Sequence, residues 1–206
     1  MNRILSWTLT TLLMCAASFG FAQFQEVTFT GFTGSNIGTT NPGWSEATGA
    51  TSPSGTTSSW GQSSSAQATV LNTEAAKYNL YSSNGTAWLV SPSMTIAATD
   101  SIKVDAAIFS YNSSTISSSM GSDDSVNVYI TTNGWTSKTL LFSINASNSP
   151  TMTISQYKAS LGSYSGQTAI IGIQGSEGST NDPEDYDFHL TNIIIGTPPT
   201  IEMKAN

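Results

Sequence analysis

The chain is short of everything that usually pins a small exported domain together or marks a polyanion binder. It has one cysteine, Cys15, and one histidine, His189. Beyond Arg3 there is no arginine, and charged residues make up only 9% of the chain. Without a second cysteine no intrachain disulfide can form, so a core must hold the fold. Zinc needs clustered Cys and His ligands, which one histidine cannot supply. The formal net charge is -7 and no basic stripe exists, so a phosphate backbone finds nothing to neutralise it. A nucleic-acid partner is therefore not expected. What remains is a surface of Ser, Thr, Asn and Gly around apolar segments.

The first residues, "MNRILSWTLTTLLMCAASFGFAQ", carry Arg3, an apolar run with Cys15 inside it, and small residues Gly20 and Ala22. This reads as a secretory signal peptide cut between Ala22 and Gln23. Met14 in front of Cys15 argues against lipid attachment. The rest holds no second apolar run long enough to span a membrane. The expected layout is a signal peptide over 1–22, one β-sandwich domain over 23–197, and a tail or start of a linker over 198–206.

Apolar residues alternate with polar ones in segment after segment, which is the period of a strand with one buried face. Ile102, Val104, Ala106 and Ile108 share a face; so do Val126, Val128 and Ile130; so do Ala169, Ile171 and Ile173. Tyr186, Phe188 and Leu190 form a fourth set that runs into Ile193 to Ile195. Leu140, Phe142 and Ile144 form a shorter one, and Val27 with Phe29 begins a strand near the start. Helix signals are weak. Asn133-Gly134 marks a tight turn. Residues 34–67 show no period, but Trp44 and Trp60 within them predict a long loop whose rings dock on the sandwich. Many short strands without helices predict an all-β fold of two antiparallel sheets.

Five pieces, in order, carry a resemblance: "NPGWSEATG" (41–49), "AWLVSPSMTI" (87–96), "DSVNVYITTNG" (124–134), "SLGSYSGQTAIIGIQ" (160–174) and "YDFHLTNIIIG" (186–196). Together the chain resembles the choice-of-anchor J domains, relatives of cleaved-adhesin and MAM-like jelly rolls on bacterial surfaces. The resemblance implies a jelly-roll sandwich that binds or adheres without catalysis. In such a fold Trp88 and Leu89 end a core strand, and Pro92, which lacks a ladder donor, stands where pairing stops. The family also implies a structural calcium held by an acid near the first strand and by the Asp of a closing Asp-Asn pair. Here the first strand reads "TFTGF" and the closing pair is Thr191-Asn192. Both expected carboxylates are missing.

Candidate sites follow from residue type. Trp135, Trp60 and Trp44 offer flat rings for a sugar, Trp135 foremost because it follows a tight turn. Each ring has packing as its alternative. The stretch "EGSTNDPEDYDFH" gathers Asp182, Glu184, Asp185 and Asp187, with Asp123 or Asp124 as helpers, into either a weak calcium site or a solvated acidic loop. Alternation places His189 opposite Phe188 and Leu190, toward solvent. No Gly-x-Ser-x-Gly elbow occurs. Ser101 and Ser125 follow Asp and precede an apolar residue, a three-residue pattern of bacterial O-glycosylation. The expected function is an exported, non-enzymatic adhesion or glycan-binding module, its partner an extracellular glycan or surface protein. The alternatives left open are a structural spacer or surface-layer module and, least favoured, an accessory domain of a secreted hydrolase.

Overall fold

The computed structural model describes residues 24–34, 36–81, 85–115, 119–180 and 185–198. The signal segment, the tail from 199, and Asp182 and Glu184 therefore lie outside the described residues. Twelve strands are described: β1 (Gln25–Thr28), β2 (Ser45–Ala47), β3 (Gly61–Gln62), β4 (Ala76–Leu80), β5 (Thr86–Val90), β6 (Met94–Thr95), β7 (Ser101–Ser110), β8 (Ser125–Thr131), β9 (Thr139–Asn145), β10 (Ser155–Ser160), β11 (Thr168–Ser176) and β12 (Tyr186–Gly196). They form two antiparallel sheets. The first runs β10-β7-β12-β4-β3, with β1 also paired to β12. The second runs β2-β5-β11-β8-β9, with β6 paired to β11. The chain passes repeatedly between the sheets, and β4 and β5 lie beside β12 and β11, which stand in opposite sheets. This nesting is the jelly-roll arrangement, and the all-β sandwich expected from the alternation is the fold observed.

The core lies between the sheets because each alternating set turns one face inward. Ile102, Val104, Ala106 and Ile108 of β7 meet Val126, Val128 and Ile130 of β8, and Ala169, Ile171 and Ile173 of β11, in one cluster. Each such side chain contributes about 1.5–3 kcal/mol by leaving water. On β12 the inward set changes phase. A register shift between Leu190 and Asn192 inserts one residue, so Tyr186, Phe188 and Leu190 point inward and so do Ile193 and Ile195. The bulge explains a pattern that strict alternation cannot.

The two tryptophans of 34–67 dock as expected, but the stretch is not all loop: it carries β2, β3 and the first turn of a short helix. Trp44 and Trp60 are 4% and 1% exposed and belong to the main core. The Trp60 ring centroid lies 5.5 Å from that of Tyr78, and its Nε1 donates to the Ala87 carbonyl at 3.2 Å. Glu46, also buried, anchors the loop by accepting from the Ile37 N–H and the Ser58 hydroxyl, both at 2.8 Å.

Three expectations need correction. A short helix, α1 (Ser65–Leu71), is present. It packs outside the first sheet, where Leu71, Ala75, Ala107, Phe109 and Met152 make a second small core. Leu140 is 49% exposed, because a register shift between Val128 and Tyr129 displaces it from the inward row that Phe142 and Ile144 keep. Trp88 is fully buried, but on the outer side of the second sheet, opposite Leu89.

Candidate functional site

The outer face of the second sheet carries the concentrated aromatic surface. Register fixes its rows. Val90, Gly172 and Tyr129 stand side by side across β5, β11 and β8. One pleat further, Ala47, Trp88, Gln174, Asn127 and Ser143 align across five strands. The next pleat aligns Thr86, Ser176, Ser125 and Asn145. One half of this face is therefore aromatic and the other half is amide and hydroxyl. The two halves together extend over about 13 Å of strand.

Trp135 belongs to the aromatic half although it comes from the β8–β9 turn. Its ring meets Trp88 edge-on, with centroids 5.5 Å apart and planes at 67°. Trp88 in turn lies 5.7 Å from the Tyr129 ring. The indole of Trp135 comes down over Gly172. A Cβ at that position would collide with Trp135 and lie 2.9 Å from a ring carbon of Trp88. The Trp135 backbone is left-handed, at φ +72°. A bulky side chain rarely adopts that region, and holding it there costs roughly 1–3 kcal/mol. The turn supplies the constraint. Thr131 Oγ1 accepts from the N–H groups of Trp135 (3.1 Å) and Asn133 (3.3 Å) and donates to the Ser137 carbonyl (2.7 Å). The Asn133 side chain closes the turn by accepting from the Ser137 N–H at 3.0 Å.

Lys138 covers the rest of the aromatic half. Its ammonium is 4.0 Å from the Tyr129 ring centre and 4.7 Å from that of Trp88, and it donates to the Thr51 carbonyl. Burial lowers the Lys138 pKa and raises that of the Tyr129 phenol. The 48–54 loop is tied down alongside. Trp88 Nε1 donates to Gly49 O at 2.7 Å and Gln174 Nε2 to Ala50 O at 3.0 Å. Trp88 is thus sealed, while Trp135 stays half-buried at the rim.

The polar half opens into a cleft of about 390 Å³ lined by Ser122, Asp123, Asp124, Ser125, Asn145 and Ser147. Asn127 Nδ2 donates to Ser125 Oγ at 2.9 Å, and Asn145 Nδ2 to Ser143 Oγ at 3.3 Å. The N–H groups of Ser179 (2.7 Å) and Thr180 (2.9 Å) donate to Asp123 Oδ2 and hold its carboxyl below the usual range. Asp124 is buried and accepts from the Tyr186 hydroxyl at 2.6 Å.

Of the tryptophans proposed for stacking, only Trp135 presents surface. Trp44 and Trp60 are buried in the core, though Trp44 still borders a small cleft with Gln25, Glu26, Thr40, Asn41 and Pro42. Of the four acidic candidates only Asp185 and Asp187 are described, and each carboxylate is engaged by its own neighbours. Asp185 accepts from Asn79 Nδ2 at 3.0 Å. Asp187 is fully buried on the outer side of the first sheet, beneath α1. One of its oxygens accepts from Gln67 Nε2 (2.8 Å), Lys77 Nζ (3.0 Å) and the Asn112 N–H (3.1 Å). A carboxylate already neutralised by a lysine is a poor calcium ligand. Near the closing strand, Thr191 Oγ1 donates to the Asp105 carbonyl at 3.3 Å. Among the described residues no group of three or more His, Cys, Asp or Glu is placed to hold a metal ion. The described donors do not fit the calcium that the family resemblance implies.

His189 is also corrected. Alternation does point it away from Phe188 and Leu190, but α1 and its neighbours cover that face, and the ring is fully buried. It packs edge-on to Phe109 at 5.1 Å, and its Nδ1 lies 3.0 Å from the Asp187 carbonyl. Burial, partly opposed by the nearby Asp187 charge, holds its pKa down at about 4. An enclosed, neutral imidazole of this kind is not placed as a general base. The helix that hides it was missed because it is short. Its one signal was Ser64 followed by Gln67, a capping box in which each side chain bonds the other residue's backbone.

No protein-family model matches the chain, and no curated protein matches it. Several solved structures are similar to it in shape. The K3 cleaved-adhesin domain of Lys-gingipain from Porphyromonas gingivalis aligns over 84% of this chain and 98% of its own, at 11% identity and a TM-score of 0.50. A xylan-binding module aligns over 85% of this chain and 97% of its own, at 13% identity and a TM-score of 0.48. The glycoside hydrolase domain of Endo-D from Streptococcus pneumoniae R6 aligns over 59% of this chain but only 17% of its own, at 14% identity and a TM-score of 0.35. The chain is therefore a jelly-roll sandwich of the shape that a cleaved-adhesin domain has. Among the described residues no helix is long and apolar enough to cross a membrane.

Proposed function

We propose that the domain is a non-catalytic glycan-binding module of a secreted or cell-surface protein, of choice-of-anchor J or cleaved-adhesin type, and that a sugar ring stacks on Trp135. The observation that carries this is the left-handed Trp135 backbone. Strain held at one surface aromatic by a dedicated hydrogen-bonded turn is the kind that persists where a ring must be presented rigidly. A fixed ring loses little entropy when a ligand stacks on it. The amide and hydroxyl rows beside it supply donors and acceptors suited to sugar hydroxyls. The order is aromatic at one end and polar at the other, so an extended glycan would lie along β8 and β11. The exported location rests on the signal-like first 22 residues and on the shared adhesin shape.

The rival reading is that Trp135 only seals Trp88, as its edge-on contact would allow. A glycan array followed by calorimetry separates the two. Binding of at least one glycan is expected, lost in Trp135→Ala while the melting curve stays cooperative. A blank array, or unchanged affinity in that variant, would overturn the proposal.

A further inference from the structure

The opposite face of the sandwich holds a second cleft, unrelated to Trp135. It lies on the outer side of the first sheet and has a volume of about 280 Å³, at the small end of ligand clefts. Ser59, Gly61, Lys77, Asn79, Tyr111 and Asn112 line it. Tyr111 is 48% exposed, so one face of its ring is open to a ligand. The Lys77 ammonium stands 5.8 Å from the centre of that ring and donates to Asn112 Oδ1 at 3.3 Å.

The walls are held from beneath by one group. Asp187, with no exposure, accepts from Lys77, from the Asn112 N–H and from Gln67 of α1. Three separate elements, β4, α1 and the turn after β7, are thereby fixed to β12 at one carboxylate. Asn112 is left-handed, at φ +49°, and its N–H bond to Asp187 holds it so. A cleft with preset walls needs little ordering when it is filled.

Charge decides the class of ligand. Among the described lining residues Lys77 is the only cation, and Asp187 neutralises it at 3.0 Å. An anionic ligand gains little from a lysine already paired, and none of the described lining residues is a carboxylate that would draw a cation. What the cleft offers is a ring face, amides and a hydroxyl. We infer that it is a second sugar site, which takes a single neutral monosaccharide unit stacked on Tyr111. Asp187 is its positioning residue. Because the two sites face opposite ways, one chain can hold two glycan strands at once.

The inference stands on residues that the Trp135 site does not use, so the two can fail separately. The test is a titration of the isotope-labelled domain with neutral pentoses, hexoses and N-acetylhexosamines, followed by amide NMR shifts. At least one sugar should move the signals of Lys77, Tyr111 and Asn112. Tyr111→Ala should abolish those shifts. Asn112→Gly, which tolerates the left-handed backbone and keeps the N–H bond to Asp187, should weaken them at least several-fold. Trp135→Ala should leave them in place. No shift at the cleft with any sugar, or shifts that survive Tyr111→Ala, would overturn the inference, whatever happens at Trp135.

Discussion

The indole of Trp135 rests on the bare backbone of Gly172, two strands and a turn brought together by the absence of one methyl group. Gly172 is buried, and its backbone is not in the left-handed region, so an alanine there is limited by space alone. Gly172→Ala should lift the ring and cost about 1–3 kcal/mol, the range for overpacking. Chemical denaturation measures the loss. If Trp135 binds glycan, affinity should fall in the same variant.

Lys138 and the 48–54 loop are held by the same contacts. Lys138→Met keeps the aliphatic stem but removes the charge over Tyr129 and Trp88 and the bond to Thr51. The cation–π part should be worth about 0.5–2 kcal/mol. Limited proteolysis should cut the 48–54 loop faster in the variant. An unchanged cleavage rate would show that Gly49 and Ala50 alone hold the loop.

Acid should weaken the fold through His189. In the folded chain its pKa is about 4, below the usual imidazole value of 6.5 that an unfolded chain would show. Between those values the unfolded state takes up a proton that the folded state refuses. Stability is therefore full above about pH 6.5 and falls as the pH drops toward 4. Asp123, whose folded pKa is lowered, loses its contribution only at still lower pH. Melting temperatures across this window should decline, and His189→Phe should flatten the decline. An equal slope in that variant would assign the effect to carboxylates.

Chelation should matter little. Asp187 is committed to Lys77 and Thr191 to a backbone carbonyl, so no strong ion site is built from them. An ion at 100 times its dissociation constant would add only about 2.7 kcal/mol. Treatment with a chelator should shift the melting temperature by a few degrees at most. Collapse of the fold would reveal a calcium site built from other residues.

The strands were legible because period-2 alternation is a direct record of a one-sided sheet. Ile102, Val104 and Ile108 are buried as the pattern demands, and Lys103 is not. Alternation says which way a residue points, however, and not what lies there. His189 and Asp187 point away from the main core, and only the three-dimensional return of α1 encloses them. Leu140 fails for a related reason, since a bulge is a local event that periodicity cannot register. For the candidate site, the Asn133-Gly134 turn marked Trp135 in the sequence. Its contact with Gly172 could not be read there, because β11 and the β8–β9 turn lie far apart along the chain. Tyr111 and Lys77 carried no signal at all, for the cleft exists only once Asp187 gathers its walls.

The last of the described strands is the one that the first sheet is assembled around. β12 bonds to β7 along its whole length, to β4 over one half and to β1 over the other. Until it leaves the ribosome or the export channel, β1, β4 and β7 have no common partner, and most of their pairing spans long loops that close slowly. Folding of the domain should therefore be an all-or-none event that waits for β12. A truncation just short of Tyr186 should yield an unfolded product with no stable N-terminal half.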